Sequence, residues 1–561
     1  MAGTEHLTTD ILIIGGGSAG SMAAIRAKEL APDLQVTIFE KGDLRRGGTI
    51  AMGMDALNNV VVPGVATEDD YLEAMNLMTE GIYDPEPQRV IARRSYPLLQ
   101  KLEAWGIRFR RNPDGSLVVA HCHPNARFMV PMDAPDIKLV LAQHAEKREV
   151  RVLSQTMAVS LLVKDGHVCG AVGLRLRTGE VVVCAARAVI LTAGGAARFG
   201  LPNSGYLFGT YDFPGNAGDG YVLGYRAGAA LTGMECTTNS TLIKDLGIPL
   251  LSPAMALGAI VVDSRGEPVQ KGKHGKGGGH HQWTAVWNAN RAYAPLFLRV
   301  KHLPEERIRQ IEDVLFTTER PAQKRFFEQR GIDFRQQDIE LGPTEYWLCA
   351  GHGISGLVVD ARARTTLEGL YAAGDVAAVA FQYLTGALVL GEVAAEEATA
   401  FARTRPILPP PADQVEAVER ILGEALAPKA VAEVTIHDFE YKVRRLINDY
   451  VVPPKNAWKL QNAIGWMHRL REDLRRIVRI GDAHEVGRYL EVGYIIDCAE
   501  LSATASLTRT ESRWGTKHYR SDYPERDDAN WLRYVVLRRG PDGAISVTCP
   551  PVKRLGQEAK R

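Results

Sequence analysis

In Asp10–Ile14 an unbroken apolar run, 11–14, leads into three glycines, a pattern that predicts a short strand buried on both faces of a parallel sheet. Residues 18–30 carry Ala, Met and Ile at helical spacing, and residues 35–39 (QVTIF) read as a second buried strand that ends at Glu40. Together they predict a βαβ unit. Residues 159–176 and 180–184 read as hairpin strands turning at Lys164-Asp165-Gly166 and at Thr178-Gly179, ahead of a second glycine-terminated apolar run at 188–195. A third such run lies at 369–375. Three glycine-ended strands so far apart predict one sheet domain interrupted by an insertion, placed between about residues 239 and 343. After the proline-rich stretch 406–411, residues 413–501 predict helix upon helix with Arg- and Glu-rich outer faces. The polar tail from Thr508 predicts a closing hairpin around 538–543.

The chain has 561 residues, room for roughly three or four structural units with their own cores. With 24% charged residues and a formal net charge of +1, it carries no global field that would draw it to nucleic acid or to an acidic membrane surface. The seven cysteines (122, 169, 184, 236, 349, 498 and 549) are scattered with no C-x-x-C pair. That spacing argues against a disulfide framework, a zinc site or a resident iron–sulfur cluster. His121-Cys122-His123 lacks further ligands at metal spacing, and the histidines of 271–281 sit in a glycine tract that holds no fixed geometry, so no metal is expected. Without a leader-like segment or a run near the ~20 apolar residues of a membrane span, the expectation is a cytoplasmic protein.

Gly15-x-Gly17-x-x-Gly20 follows a buried strand and opens a helix, and Glu40 stands at the end of the next strand, about twenty residues on. In that context the glycines serve a dinucleotide. Gly15 permits the tight turn, Gly17 lets backbone approach a pyrophosphate, Gly20 allows close helix–strand packing, and the helix N-terminus offers free N–H groups to phosphate. Glu40 would accept the adenosine ribose hydroxyls. The fingerprint fits NAD or FAD alike. Tyr371-Ala-Ala-Gly374-Asp375 decides for FAD, because a carboxylate just past a strand end can bond the ribitol, which NAD lacks. Ser18, Ala19, Lys41, Gly48, Thr49, Ala51, Gly53, Ala193, Gly194, Asp219, Ala387 and Leu388 complete the candidate cofactor site.

These segments, with Asn216–Gly220, Met234-Glu235 and above all the tail Arg509–Arg513 running on to residues 518–528 and Trp531, resemble the flavoprotein subunits of the succinate dehydrogenase/fumarate reductase superfamily, with L-aspartate oxidase and the adenylylsulfate reductase alpha subunit. The resemblance spans nearly the whole chain. It implies a Rossmann-like α/β FAD domain at 1–238 and 346–408, a mobile α+β capping domain at 239–345, a helical domain at 409–507 and a tail at 508–561. It also implies an FAD-dependent oxidoreductase with its site between flavin and cap, partnered by an iron–sulfur, ferredoxin-like electron-transfer subunit. An oligomer is compatible with that arrangement.

The departures narrow the substrate. Ser240 stands where dicarboxylate-processing members have a histidine, residues 252–258 carry no basic group where those members have a proton-donating arginine, and Tyr383 falls near a further substrate arginine. A site for two carboxylates needs bidentate cations. A small organic molecule other than a simple dicarboxylate is therefore expected, with hydride passing to or from flavin N5. Gly48-Thr49 replaces the flavin-linking histidine, so FAD is expected to be non-covalent. Glu345, Tyr346, His352 and Tyr383 are the candidates for proton transfer, and Arg513 and His518 match family positions near the flavin. The alternatives left open are an oxygen-using oxidase, a flavoprotein of the fumarate reductase/succinate dehydrogenase or adenylylsulfate reductase type, and a non-catalytic FAD-binding subunit.

Overall fold

The structure is a computed structural model. It describes all residues except 1–2, 53–55, 124–125, 135, 203–211, 245–253, 256, 270–290, 317–320, 430–433 and 554–561. Gly53 and the glycine- and histidine-rich stretch 271–281 thus lie outside the described residues, as do several of residues 252–258.

The core is a seven-stranded sheet built from β1 (Thr4–Ile14), β2 (Val36–Glu40), β3 (Arg151–Ser154), β4 (Thr156–Lys164), β5 (His167–Arg175), β6 (Val181–Leu191) and β7 (Leu370–Ala372). The order is β3-β2-β1-β6-β5-β4, with β7 also paired to β6. Strands β3, β2, β1 and β6 run parallel, as the continuous apolar runs predict. The chain differs from the sequence reading in two places. β1 starts at Thr4, because residues 4–9, polar except for Leu7, pair with 181–186 at the half-exposed end of the sheet, where no apolar run is needed. Residues 180–184 and 188–191 are one strand, β6, carried through by the small residues Ala185, Ala186 and Ala188. Its first half is antiparallel to β5 and its last three residues are parallel to β7, so a single strand serves two kinds of sheet. The β4–β5 turn places Asp165 at φ 50° and Gly166 at φ 78°, the left-handed pair that tight hairpins demand.

Helix α1 (Ser18–Leu30) packs against the long α3 (Tyr383–Ala402), while the shorter α2 (Asp219–Ala227) lies against β4. Strands at 241–243, 260–262, 297–299 and 339–343 form a separate four-stranded sheet, with its own apolar cluster running from Ile243 to Leu341. Helices at 412–426, 436–450, 457–477 and 483–508 follow. The terminal hairpin, Val536–Arg539 with Ile545–Thr548, adds to Leu231–Thr232. Among the described residues no helix is long and apolar enough to cross a membrane.

Candidate functional site

The three glycines of the first turn differ in what holds them. Gly15 has φ +100°, and a Cβ there would lie 2.5 Å from the Thr192 carbonyl oxygen at the end of β6. A Cβ on Gly20 would overlap the Gly15 carbonyl oxygen. Both are glycines because the fold needs them. Gly17 is not: its φ is −62°, and the nearest atom to an added Cβ is the Gly48 Cα at 3.8 Å. Gly48, at φ +81°, faces it. Two bare backbones thus meet beside the N-terminus of α1, whose first turn has neither a side-chain cap nor an acidic residue. An uncapped, uncompensated helix start attracts an anion. These features fit the pyrophosphate of FAD, with Ser18, Ala19 and Gly20 supplying the open end.

Glu40 is buried, and its carboxylate accepts hydrogen bonds from the N–H of Gly16 (2.6 Å) and of Gly42 (2.7 Å). Beneath the turn lies Lys138, fully buried, whose ammonium donates to the Gly16 carbonyl and to the Ser21 hydroxyl. Burial pulls Lys138 down to about 8, against the attraction of Glu40 and Asp136. The sequence reading missed it as part of this turn. Its one signal was a lysine among Ile137, Leu139, Val140 and Leu141 in the apolar first half of its helix.

The other glycine-ended strands close on the same place. Ala193 and Gly194 follow β6, and Gly194 at φ +74° backs onto the Asn216 amide, which a Cβ would meet at 2.6 Å. Gly374, at φ +74°, packs on Ala19, where a Cβ would be 3.1 Å from the alanine methyl. Asp375 lies against Gly351, and burial first, then the neighbouring Asp212, raise its carboxyl to about 7. The Thr49 hydroxyl bonds the Asp212 carboxylate. Ala51 belongs to the short turn Thr49–Met52, and Ala387 and Leu388 are buried in the early part of α3. Lys41 and Asp219 pair with each other at 2.7 Å, and Lys41 also reaches Glu491 at 3.0 Å. Glu491 in turn binds Arg198, which pairs with Glu440, so a buried chain of charges ties the cofactor segment to the helical region. Burial disfavours the Glu491 charge, yet Arg198 and Lys41 outweigh it and hold the carboxyl at about 2.

The four proton-transfer candidates separate into two groups. His352 and Tyr383 stand edge to face with ring centroids 5.1 Å apart, Trp347 lies 6.5 Å from His352, and Phe381 lies 6.4 Å from Tyr383. His352 follows Gly351 directly, so this aromatic group adjoins Asp375. Glu345 instead is buried beside the Arg444 guanidinium, and the Tyr346 backbone is bound to Gly200 on the side of the helical region. A further residue joins the first group. The ammonium of Lys517, 7% exposed, donates to the His352 carbonyl at 2.8 Å and sits 4.3 Å over the Phe381 ring. Burial lowers its pKa, and nothing local in the tail sequence points to it.

The tail arginines are committed to structure. Arg513 binds Glu511 and Asp528, Arg509 binds Glu235 and Glu511, and Arg520 binds Asp522. His518 is fully buried, and burial with Lys455, Arg509 and Arg520 around it keeps it neutral. The side chains of 121–123 are outside the described set, and elsewhere no group of three or more His, Cys, Asp or Glu among the described residues is placed to hold a metal.

Comparison with known proteins adds family context. Residues 10–385 match the FAD binding domain family, and residues 440–556 match the fumarate reductase flavoprotein C-terminal family. An uncharacterized FAD-dependent oxidoreductase of Methanocaldococcus jannaschii is 26% identical over 95% of this chain and 96% of its own. A CoM/CoB fumarate reductase subunit from Methanothermobacter marburgensis is 25% identical over 96% and 98%. Among solved structures, adenylylsulfate reductase of Archaeoglobus fulgidus superposes with a TM-score of 0.89 at 23% identity, over 99% of this chain and 97% of that one.

Proposed function

The chain belongs to the fumarate reductase/succinate dehydrogenase flavoprotein superfamily and is an FAD-dependent oxidoreductase, and from that premise we propose that it exchanges hydride between non-covalently held FAD and a small organic substrate that is not a simple dicarboxylate. Bound FAD supplies a hydride acceptor and donor at N5. The bare backbone at Gly17 and Gly48, beside the start of α1, takes the pyrophosphate, Glu40 takes the ribose, and Asp375 takes the ribitol. Residues 1–238 with 346–408 carry the cofactor, residues 239–345 cover the substrate, and residues 409–507 and 508–561 brace the assembly. His352 and Tyr383 hold or move the substrate proton, whereas Glu345 and Tyr346 support the helical side.

The observation that carries the reading is charge neutrality. Arg509, Arg513 and Arg520 are each closed on carboxylates of the protein. Two substrate carboxylates would need two or more cations, and the described aromatic group offers Lys517 alone. Mixing the anaerobically reduced enzyme with fumarate tests this: the flavin should stay reduced for minutes, and reoxidation within seconds would overturn the proposal. The same measurement in air separates an oxidase, whose flavin reoxidises at once. Acid precipitation should leave the flavin in the supernatant, since Gly48-Thr49 offers no linking side chain.

We further propose an iron–sulfur protein as the electron partner. The naming of a relative as one subunit of a fumarate reductase supports it. Co-purification from the native source with visible spectra of clustered iron tests it.

A further inference from the structure

Lys517 is the one ammonium in the aromatic group, and its circumstances are unusual. It is 7% exposed, it has no ion-pair partner among the described residues, and one backbone carbonyl, that of His352, accepts from it. Its backbone carbonyl is fixed by the N–H (3.1 Å) and hydroxyl (3.0 Å) of Thr237, so the side chain is delivered to this place rather than left to wander. A buried ammonium that lacks a counter-charge is costly unless a ligand supplies one. The neighbouring cations offer no alternative. Lys455 is directed at the Glu235 carbonyl and the Ser506 hydroxyl, and the tail arginines are paired. Around Lys517 stand Phe381, Tyr383, His352 and, beyond it, Trp347, rings that favour a flat or apolar body.

We infer that Lys517 is the anchor for a single carboxylate of the substrate, which makes the substrate class an organic acid with one carboxylate on a flat or apolar body. This deepens the proposed function and rests on it. One fixed cation sets the charge at one, and the rings set the character of the remainder.

The probe is benzoate, with benzamide as its neutral isostere, titrated against the flavin absorption band of the purified holoenzyme. Benzoate should perturb the band saturably and bind at least about tenfold tighter than benzamide, the ratio expected of one charge-assisted hydrogen bond. Lys517→Met should abolish that preference while the flavin content stays that of wild type, and Lys517→Arg should keep it within about threefold. Equal binding of benzoate and benzamide by wild type, no perturbation by either, or an unchanged preference in Lys517→Met overturns the inference. The wild-type comparison stands even where Lys517→Met fails to fold. Rapid reoxidation by fumarate would defeat the broader function instead, so the two failures read differently.

Discussion

Replacing Gly17 separates what the fold requires from what the cofactor requires. In Gly17→Ala the new methyl meets nothing nearer than the Gly48 Cα at 3.8 Å, and φ −62° is open to any residue. Losing glycine at the helix N-cap costs about 0.5–1 kcal/mol, and restricting the unfolded chain returns about 0.4–1 kcal/mol, so apo stability should hold within about 0.5 kcal/mol. Gly17→Val puts a branched side chain beside Gly48 and across the open N–H groups of α1. Two charge-assisted bonds to pyrophosphate are worth roughly 3–6 kcal/mol, so the FAD dissociation constant should rise more than a hundredfold. Gly20→Ala is the contrasting control, because its Cβ overlaps the Gly15 carbonyl and should cost the apo protein about 3 kcal/mol or more. Calorimetric titration of apoprotein with FAD, beside thermal melting of the apoproteins, measures both. A Gly17→Val protein that keeps its flavin, or a Gly17→Ala apoprotein as destabilised as Gly20→Ala, would refute the assignment of this turn.

Glu40→Ala should weaken FAD by about 1–3 kcal/mol and, unlike Gly17→Ala, lower apo stability too, because the Gly16 N–H loses its buried acceptor; titration and melting should move together. Arg198→Met removes the most buried cation that Glu440 and Glu491 share, leaving Arg488, Arg444 and Lys41 to compensate them in part, and should destabilise the apoprotein by about 3 kcal/mol in urea unfolding, a loss under about 1 kcal/mol being incompatible with the charge chain. Asp375 bears on pH. Its folded pKa, about 7, exceeds the ordinary 3.8, so the folded state holds its proton longer and apo stability should fall as pH rises from about 4 to about 7. Asp375→Asn should remove that part of the slope and be relatively more stable above pH 7; an identical pH dependence for variant and wild type would show that the carboxyl is not held protonated.

The cofactor side of this protein was legible in the sequence because its signals are local. Strand, glycine turn, helix and acidic strand end fall within residues 10–40, and each glycine-ended run announces its own strand. The two strands read from 180–195 proved to be one, since alanine can continue a buried strand as readily as interrupt a pattern of larger residues. What was illegible depends on contacts far apart in the chain. Lys138 lies under Gly16, Lys517 reaches His352, and Lys41 meets Glu491. Charged residues in such places read from sequence as surface, because only the folded partner shows why burial is tolerated. Glu345, Tyr346, His352 and Tyr383 looked equivalent on one dimension, yet the first two lie toward Arg444 and Gly200, whereas His352 and Tyr383 meet each other beside Lys517 and Phe381.

The divided pairing of β6 sets an order of events during synthesis. Its first residues find β5 as soon as the hairpin is made, but its last three wait for β7, which leaves the ribosome almost two hundred residues later. Loop closure over that span is slow and follows the compaction of what lies between. Asp375 and the start of α3 arrive with β7, and Glu491, which steadies Lys41, arrives later still. The segments that meet around Gly15–Gly20 are therefore complete as a set only after residues well beyond 370 have emerged, although the glycine turn itself is among the first to be made.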